Sequence, residues 1–477
     1  MTVNLLHLPF SRRQLLQVGG ISSLGLSLPA LLKAGVPRAG QGGLAGTQNS
    51  ERSCLFIVQY GGASQIDSFD PKRLAPEDVR GPYQPISTRT PGLQICELLP
   101  QLAMQSDKFT VIRSMTHGNG GHDGGMHVAM TGHSVPKVDT PYFGSVVSRI
   151  RPSTRNMPSY VWLQNLAGDV EPRYLKGGFL GSAYSPLRVG NDLDNPSVPE
   201  FRFSAFDPPA GTSTEKLLLR KELLQRLECS AHSADLRNRS GVLRSTKEPF
   251  AEFSRFQEKA VDLVTGTEAR AAFDVTRESD KVRDRYGRHP LGQNLLMARR
   301  LIEAGVRLVS VTAWCGIAEG EKFTNVQTWD MHGPGAAAHL GSIFGTGSYG
   351  LGFALPRIDQ SVSALLEDLD DRGLLESTLV VLVGEFGRSP KVSNQGRDHW
   401  PACYSALVAG AGIRPGTFYG SSDLHGAYVR ENPVSPEDFS ATLYRALGID
   451  PGTRLGLDGF THPASTGQSI EELLSAK

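Results

Sequence analysis

Cysteine is scarce: Cys54, Cys96, Cys229, Cys315 and Cys403 are scattered through 477 residues with no Cys-x-x-Cys pair. That spacing excludes a zinc finger and a redox dithiol, and the odd number leaves at least one thiol unpaired. Most of these side chains are expected to be buried small hydrophobes. An excess of one charge is missing too, since 49 Lys+Arg face 48 Asp+Glu for a formal net charge of +1. With no basic stripe interleaved with aromatics, nothing draws the chain to nucleic acid. Internal repeats and low-complexity tracts are absent.

What is present is the composition of a soluble globular protein, 39% hydrophobic and 20% charged. Gly (53) and Pro (30) stand between apolar runs, as loop punctuation does. The length suits two or three average domains, or one large α/β domain with insertions.

The first fifty residues differ from the rest. Ser11-Arg12-Arg13-Gln14-Leu15-Leu16 precedes the apolar run Val18 to Leu32, and a Gly-rich stretch follows at Ala39 to Gly46. This resembles a twin-arginine export signal, whose short h-region is no stable membrane span. The expectation is a signal peptide and linker over 1–50 and a single α/β hydrolase-like domain over 51–477. That route takes folded proteins, so the export machinery is an expected partner and the protein is expected to be periplasmic or secreted, with no stable membrane span after processing.

Further along, Cys54 to Tyr60 is an apolar run ended by Gly61-Gly62, the form of a strand buried on both faces. A helix over Ile95 to Ser106 and a strand over Phe109 to Met115 follow, predicting a parallel pair. A second strand, helix, strand unit is predicted from Val306 to Thr312, Ile358 to Asp371 and Thr378 to Gly384. Charged, helix-period segments between them predict a helical insertion over about 212–303. The predicted fold is a doubly wound, mostly parallel α/β sheet, in which ligands bind beyond the carboxyl ends of the strands.

Those strand ends carry the chemistry. Beyond the first lies Gly61 to Lys72, with Asp67 and Asp70, read equally as a turn or as ligand-facing groups. Beyond the second, His117, His122, His127 and His133 fall within seventeen residues of a Gly-rich loop leading into a helix, where neutral imidazoles make metal ligands. Beyond the third, Asp330-x-His332 places a carboxylate and an imidazole on one side of an extended segment. Beyond the fourth, Glu385 ends a wholly apolar strand, where a carboxylate needs a cation, a hydrogen-bonding partner or a proton. Arg388 or Arg397 would answer as a structural ion pair. Asp398-His399 would supply further ligands, or a carboxylate that only orients its neighbour. Four strand ends thus present acids and imidazoles to one sheet edge, the pattern of a divalent-metal hydrolytic site.

Ordered along nearly the entire chain, these motifs resemble a bacterial family grouped as domain of unknown function 1501, typically exported by the twin-arginine route. The resemblance rests on Ser11-Arg12-Arg13, Gly61 to Lys72, Thr131-Gly132-His133, Trp329 to His332, Gly384 to Arg388 and Gly396 to Trp400. That family is in turn similar to the alkaline phosphatase and sulfatase superfamily, which hydrolyses phosphate or sulfate esters at a divalent-metal site. The resemblance implies that Asp330, His332 and His399 match ligand positions. The nucleophile's place falls on His122, and Phe386 stands where a metal-binding imidazole would. Gln59-Tyr60-Gly61 stands where the first strand would end in a metal-binding Asp. Ser435 to Gly448 resembles the closing helix of sulfatases.

Two readings follow. In the first, the protein is a metal-dependent phosphate- or sulfate-ester hydrolase acting on a small-molecule or polymer substrate through metal-bound water. Its ligands are Asp330, His332, Glu385 and His399, with Asp67 and Asp398 as further ligands or orienting groups. His122 is an acid/base or additional ligand, His127 lines the pocket, and His117, Arg388 and Arg397 meet the substrate. The metal is zinc, calcium, magnesium or manganese. In the second, an inactive exported binding or scaffold protein keeps the fold.

Overall fold

The computed structural model describes residues 52–475 apart from 165–176, 192, 205, 208–210, 214, 224–225, 227–262, 265, 334–340 and 457–461. The expected signal and linker over 1–50 lie outside the described residues, as do Cys229 and residues 227–262 of the expected insertion.

Eight strands form the central sheet: β1 (Ser53–Val58), β2 (Phe109–Met115), β3 (Tyr160–Leu163), β4 (Leu187–Val189), β5 (Leu308–Thr312), β6 (Thr378–Val383), β7 (Tyr404–Ala409) and β8 (Thr417–Tyr419). Their order across the sheet is β8-β2-β7-β6-β1-β5-β3-β4. Only β7 runs against the others, paired antiparallel to both β2 and β6. β1 is buried along its whole length, with β6 and β5 parallel on either side of it.

Side chains on β1 alternate between two cores. Leu55 and Ile57 face the layer built on α3 (Pro290–Glu303) and α4 (Leu351–Asp371). Cys54, Phe56 and Val58 face the layer built on α1 (His122–Thr131), α2 (Phe143–Ile150) and α5 (Pro436–Ala446). Helices therefore cover both faces, which explains why the central strands read as unbroken apolar runs. Cys54, Cys96, Cys315 and Cys403 are free and buried, as expected. No helix among the described residues is long and apolar enough to cross a membrane.

Three details differ from the sequence reading. β1 and β2 are parallel but not neighbours, because β6 and β7 stand between them; β5 and β6 likewise flank β1 instead of pairing. The helix expected over Ile95 to Ser106 is a strand, Gln94–Cys96, followed by a five-residue helix, Pro100–Met104. Pro100 has no N–H to continue a helix begun upstream and instead starts its own. Within the segment expected to be an insertion, α3 is a core crossover helix leading to β5, with most of its residues buried.

Candidate metal centre

Because the strands run in parallel, their carboxyl ends bring four loops to one edge of the sheet. β1 ends in the Gly61-Gly62 turn, which packs against the loop after β5. Gly61 has φ +114°, and a Cβ there would stand 2.4 Å from the backbone nitrogen of Asp330, so only glycine allows this approach. The loop after β2 caps the N-terminus of α1 and starts that helix on His122. The loop after β6 carries Glu385 and Phe386, then forms a short hairpin in which His399 pairs with Arg388.

The outcome is a cluster around one carboxylate oxygen. Asp330 Oδ1 lies 3.4 Å from His122 Nε2, 3.1 Å from His332 Nε2 and 3.3 Å from His399 Nε2. His332 and His399 approach each other at 2.9 Å, Nε2 to Nε2. One ligand atom each from His122, Asp330 and His399 lies within 4.8 Å of the other two, a spacing able to hold a metal ion.

Each imidazole is oriented through its other nitrogen. His122 Nδ1 donates to Glu385 Oε1 at 2.8 Å, His399 Nδ1 donates to the carbonyl of Gly120 at 2.7 Å, and His332 Nδ1 donates to Asp398 Oδ1 at 3.2 Å. Carboxylate and carbonyl oxygens only accept here, so the network assigns the proton to Nδ1 and leaves Nε2 for the centre. That is the arrangement of metal-ligating histidines, whose outward nitrogen is held by a carboxylate or backbone carbonyl.

Charge accumulates without full compensation. Glu385 is completely buried; its Oε1 also accepts from Gly61 N at 2.8 Å, while Oε2 has no hydrogen-bond partner. Asp330 accepts from Arg388 Nη2 at 2.6 Å. Of these two buried carboxylates only Asp330 is paired with a guanidinium, and a cation at the centre would offset the remaining charge. The imidazoles answer the same field. Burial alone would lower His122, but hydrogen bonds and charge from Asp330 and Glu385 outweigh it and push it up to about 9. Burial would raise Asp330, yet the three histidines and Arg388 hold it well below the usual carboxylate range. Burial lowers His399, against the opposing pull of Asp330.

Several residues expected as ligands or substrate-binding groups take other places or other parts in the network. Glu385 is the acceptor behind His122, with no oxygen directed to the shared centre by any hydrogen bond. Asp398 is largely exposed and holds His332. Asp67 is away from the cluster, in a two-point ion pair with Arg397 at 2.7 and 3.1 Å. Arg397 spends its remaining donors on the carbonyls of Val79, Ser389 and Pro390. Arg388 is fully buried and bonds the carbonyls of Gly61, Gly62, Trp329 and Arg397 besides Asp330. Neither guanidinium is placed to meet a substrate, and neither pairs with Glu385. His117 bonds the carbonyl of Glu385 at 2.6 Å and accepts from Asn119 N, and burial lowers it. His127 lies against Tyr142. Five residues along a helix turn a side chain by about 140°, which carries it away from His122.

Two contributors had no clear signal in the sequence. The carbonyl of Gly120 is a backbone group, so no residue type announces it. Phe386, noted only as a residue unable to ligate, packs its ring against His399 and His122, with centroids 4.4 and 5.3 Å apart.

No curated protein matches the chain. Among solved structures it is similar to the lipoteichoic acid synthase LtaP from Listeria monocytogenes, at 8% identity and a TM-score of 0.37 over 91% of this chain and 79% of that one. A phosphonate monoester hydrolase from Silicibacter pomeroyi gives 11% and 0.34 over 89% and 76%. A protein in the alkaline phosphatase superfamily from Vibrio parahaemolyticus gives 10% and 0.34 over 92% and 76%. Residues 51–474 match the family model described as a protein of unknown function, DUF1501, and the chain belongs to that family.

Proposed function

We propose that the protein is an exported metal-dependent hydrolase of phosphate or sulfate esters, with His122, Asp330, His332 and His399 as ligands of one divalent ion. The observation that carries this reading is the convergence of three Nε2 atoms and one carboxylate oxygen, each imidazole oriented from behind. Nitrogen-rich donors suit zinc, whereas calcium and magnesium favour all-oxygen sets. The ester class comes from the Asp330-x-His332 and His399 motifs and their resemblance to the phosphatase and sulfatase superfamily. A bound divalent ion would supply a Lewis acid for charge building on a transferring phosphoryl or sulfuryl group, and would acidify a coordinated water.

The protein's own groups do the rest. Arg388 fixes Asp330 and ties it to the first strand end through Gly61 and Gly62. Glu385 and Gly120 fix the rotation of His122 and His399. Phe386 packs against both rings and limits water behind them. The test is hydrolysis of aryl phosphate, sulfate and phosphonate esters by the full chain, stripped by chelator and reloaded with single metals. Turnover that returns with metal and is lost in Asp330→Ala supports the reading. Phe386 and the missing Ser or Cys at position 122 favour a second one, a metal-holding binding protein; metal-loaded protein with no turnover of any ester class would select it.

A further inference from the structure

The four donors are not held alike. His122 is backed by Glu385, a fully buried carboxylate anchored a second time by Gly61 N. His399 is backed by a backbone carbonyl just ahead of α1. Behind His332 stands only Asp398, whose side chain is 77% exposed. A hydrogen bond to so exposed a carboxylate is easily exchanged for water.

The backbone of the same residue is pinned. Gly333 N bonds the carbonyl of Gly341 at 2.7 Å, and Arg397 N bonds the carbonyl of Met331, also at 2.7 Å. His332 can therefore swing its ring without moving its loop. Its Nε2 also stands 2.9 Å from that of His399, whereas two nitrogens on one tetrahedral zinc stand roughly 3.3 Å apart. The mutually close ligand set is His122, Asp330 and His399 without it.

Resting on the metal-centre reading above, we infer that His332 is an exchangeable ligand, displaced by an oxygen of a tetrahedral oxyanion, while His122, Asp330 and His399 hold the ion permanently. The exchange breaks one coordinate bond from an imidazole nitrogen and forms one from an anion oxygen. No electron is transferred, and the freed ring turns toward Asp398 and solvent. One weakly tethered ligand thus keeps the site closed to other donors until an anionic ester arrives.

The experiment compares wild type, His332→Gln, His332→Ala and His399→Ala, first by metal content and then as cobalt(II) proteins titrated with inorganic phosphate and sulfate. Both His332 variants are expected to keep about one equivalent of metal and to release it to a chelator faster than the wild type does. His399→Ala is expected to hold none. Phosphate or sulfate is expected to bind the His332 variants about tenfold more tightly, having no ligand to displace. The visible spectra of wild type and variants are expected to coincide once the anion is bound. Metal-free His332→Gln beside metal-loaded wild type would overturn this inference alone, as would weaker anion binding in the variants, or no spectral response to either anion. Metal-free wild type would overturn the metal-centre reading as well.

Discussion

Glu385→Gln removes one negative charge from a fully buried position while keeping its volume. Glu385 Oε1 accepts from His122 Nδ1 and from Gly61 N, each at 2.8 Å. Losing the carboxylate behind a ligating imidazole costs roughly 10- to 100-fold in metal affinity. A second effect opposes the first. His122 sits at about 9, because Asp330 and Glu385 outweigh its burial, so at neutral pH an incoming metal must expel a proton. That competition lowers the apparent affinity of the wild type roughly a hundredfold at pH 7. Glu385→Gln takes away one of the two carboxylates that stabilise the proton, and part of the competition goes with it. The expected ratio of wild-type to variant affinity is therefore roughly 10 to 100 near pH 9.5, narrowing toward pH 7. Wild-type affinity itself is expected to climb about tenfold per pH unit from 7 to 9. Competition against a chromophoric chelator at controlled pH reads both quantities. A ratio independent of pH, or one that widens at pH 7, would refute the assignment of Glu385 as the group behind His122.

Four further predictions concern stability. In metal-free protein the folded-state value of about 9 for His122 lies above its ordinary 6.5, so its contribution is complete below pH 6.5 and vanishes as pH rises through 9. Urea unfolding of chelator-treated protein should lose about 3 kcal/mol across that window, and a pH-independent midpoint would contradict it. Gly333 has φ +96°, and a Cβ there would stand 1.7 Å from the carbonyl oxygen of Asn394. Gly333→Ala should cost at least about 1–3 kcal/mol in thermal unfolding and weaken metal retention by moving His332. Arg388→Met leaves Asp330 buried without its guanidinium and should cost about 3–5 kcal/mol, part of which returns when Asp330→Asn is added. Asp67→Asn, which breaks the separate pair with Arg397, should lower stability with metal content unchanged.

The sequence announces the location of the site better than its internal roles. Wholly apolar strands such as Thr378–Val383 mark a sheet covered on both faces, and the carboxyl-end rule then directs attention to His122, Asp330, His332, Glu385 and His399, which the structure brings together. Roles depend on which atoms face which, and that is a property of loop closure. Asp67 and Asp398 look alike as acids near a strand end, yet one is locked in a buried ion pair and the other stands in solvent beside His332. Arg388 and Arg397 read as cations that would balance Glu385, but the hairpin they share turns one to Asp330 and the other to Asp67. Strand order is hidden for a related reason. A strand, helix, strand pattern fixes direction and handedness, while the insertion of antiparallel β7 between β2 and β6 depends on segments three hundred residues apart.

The central claim is that His122, Asp330, His332 and His399 hold one divalent ion. Elemental mass spectrometry of the protein purified from its native host, beside the double variant Asp330→Ala, His399→Ala, tests it most directly. About one equivalent of a divalent metal, zinc by the donor set, is expected in the wild type and none in the variant. Folded wild type without metal, or metal that persists in the folded double variant, would contradict the account.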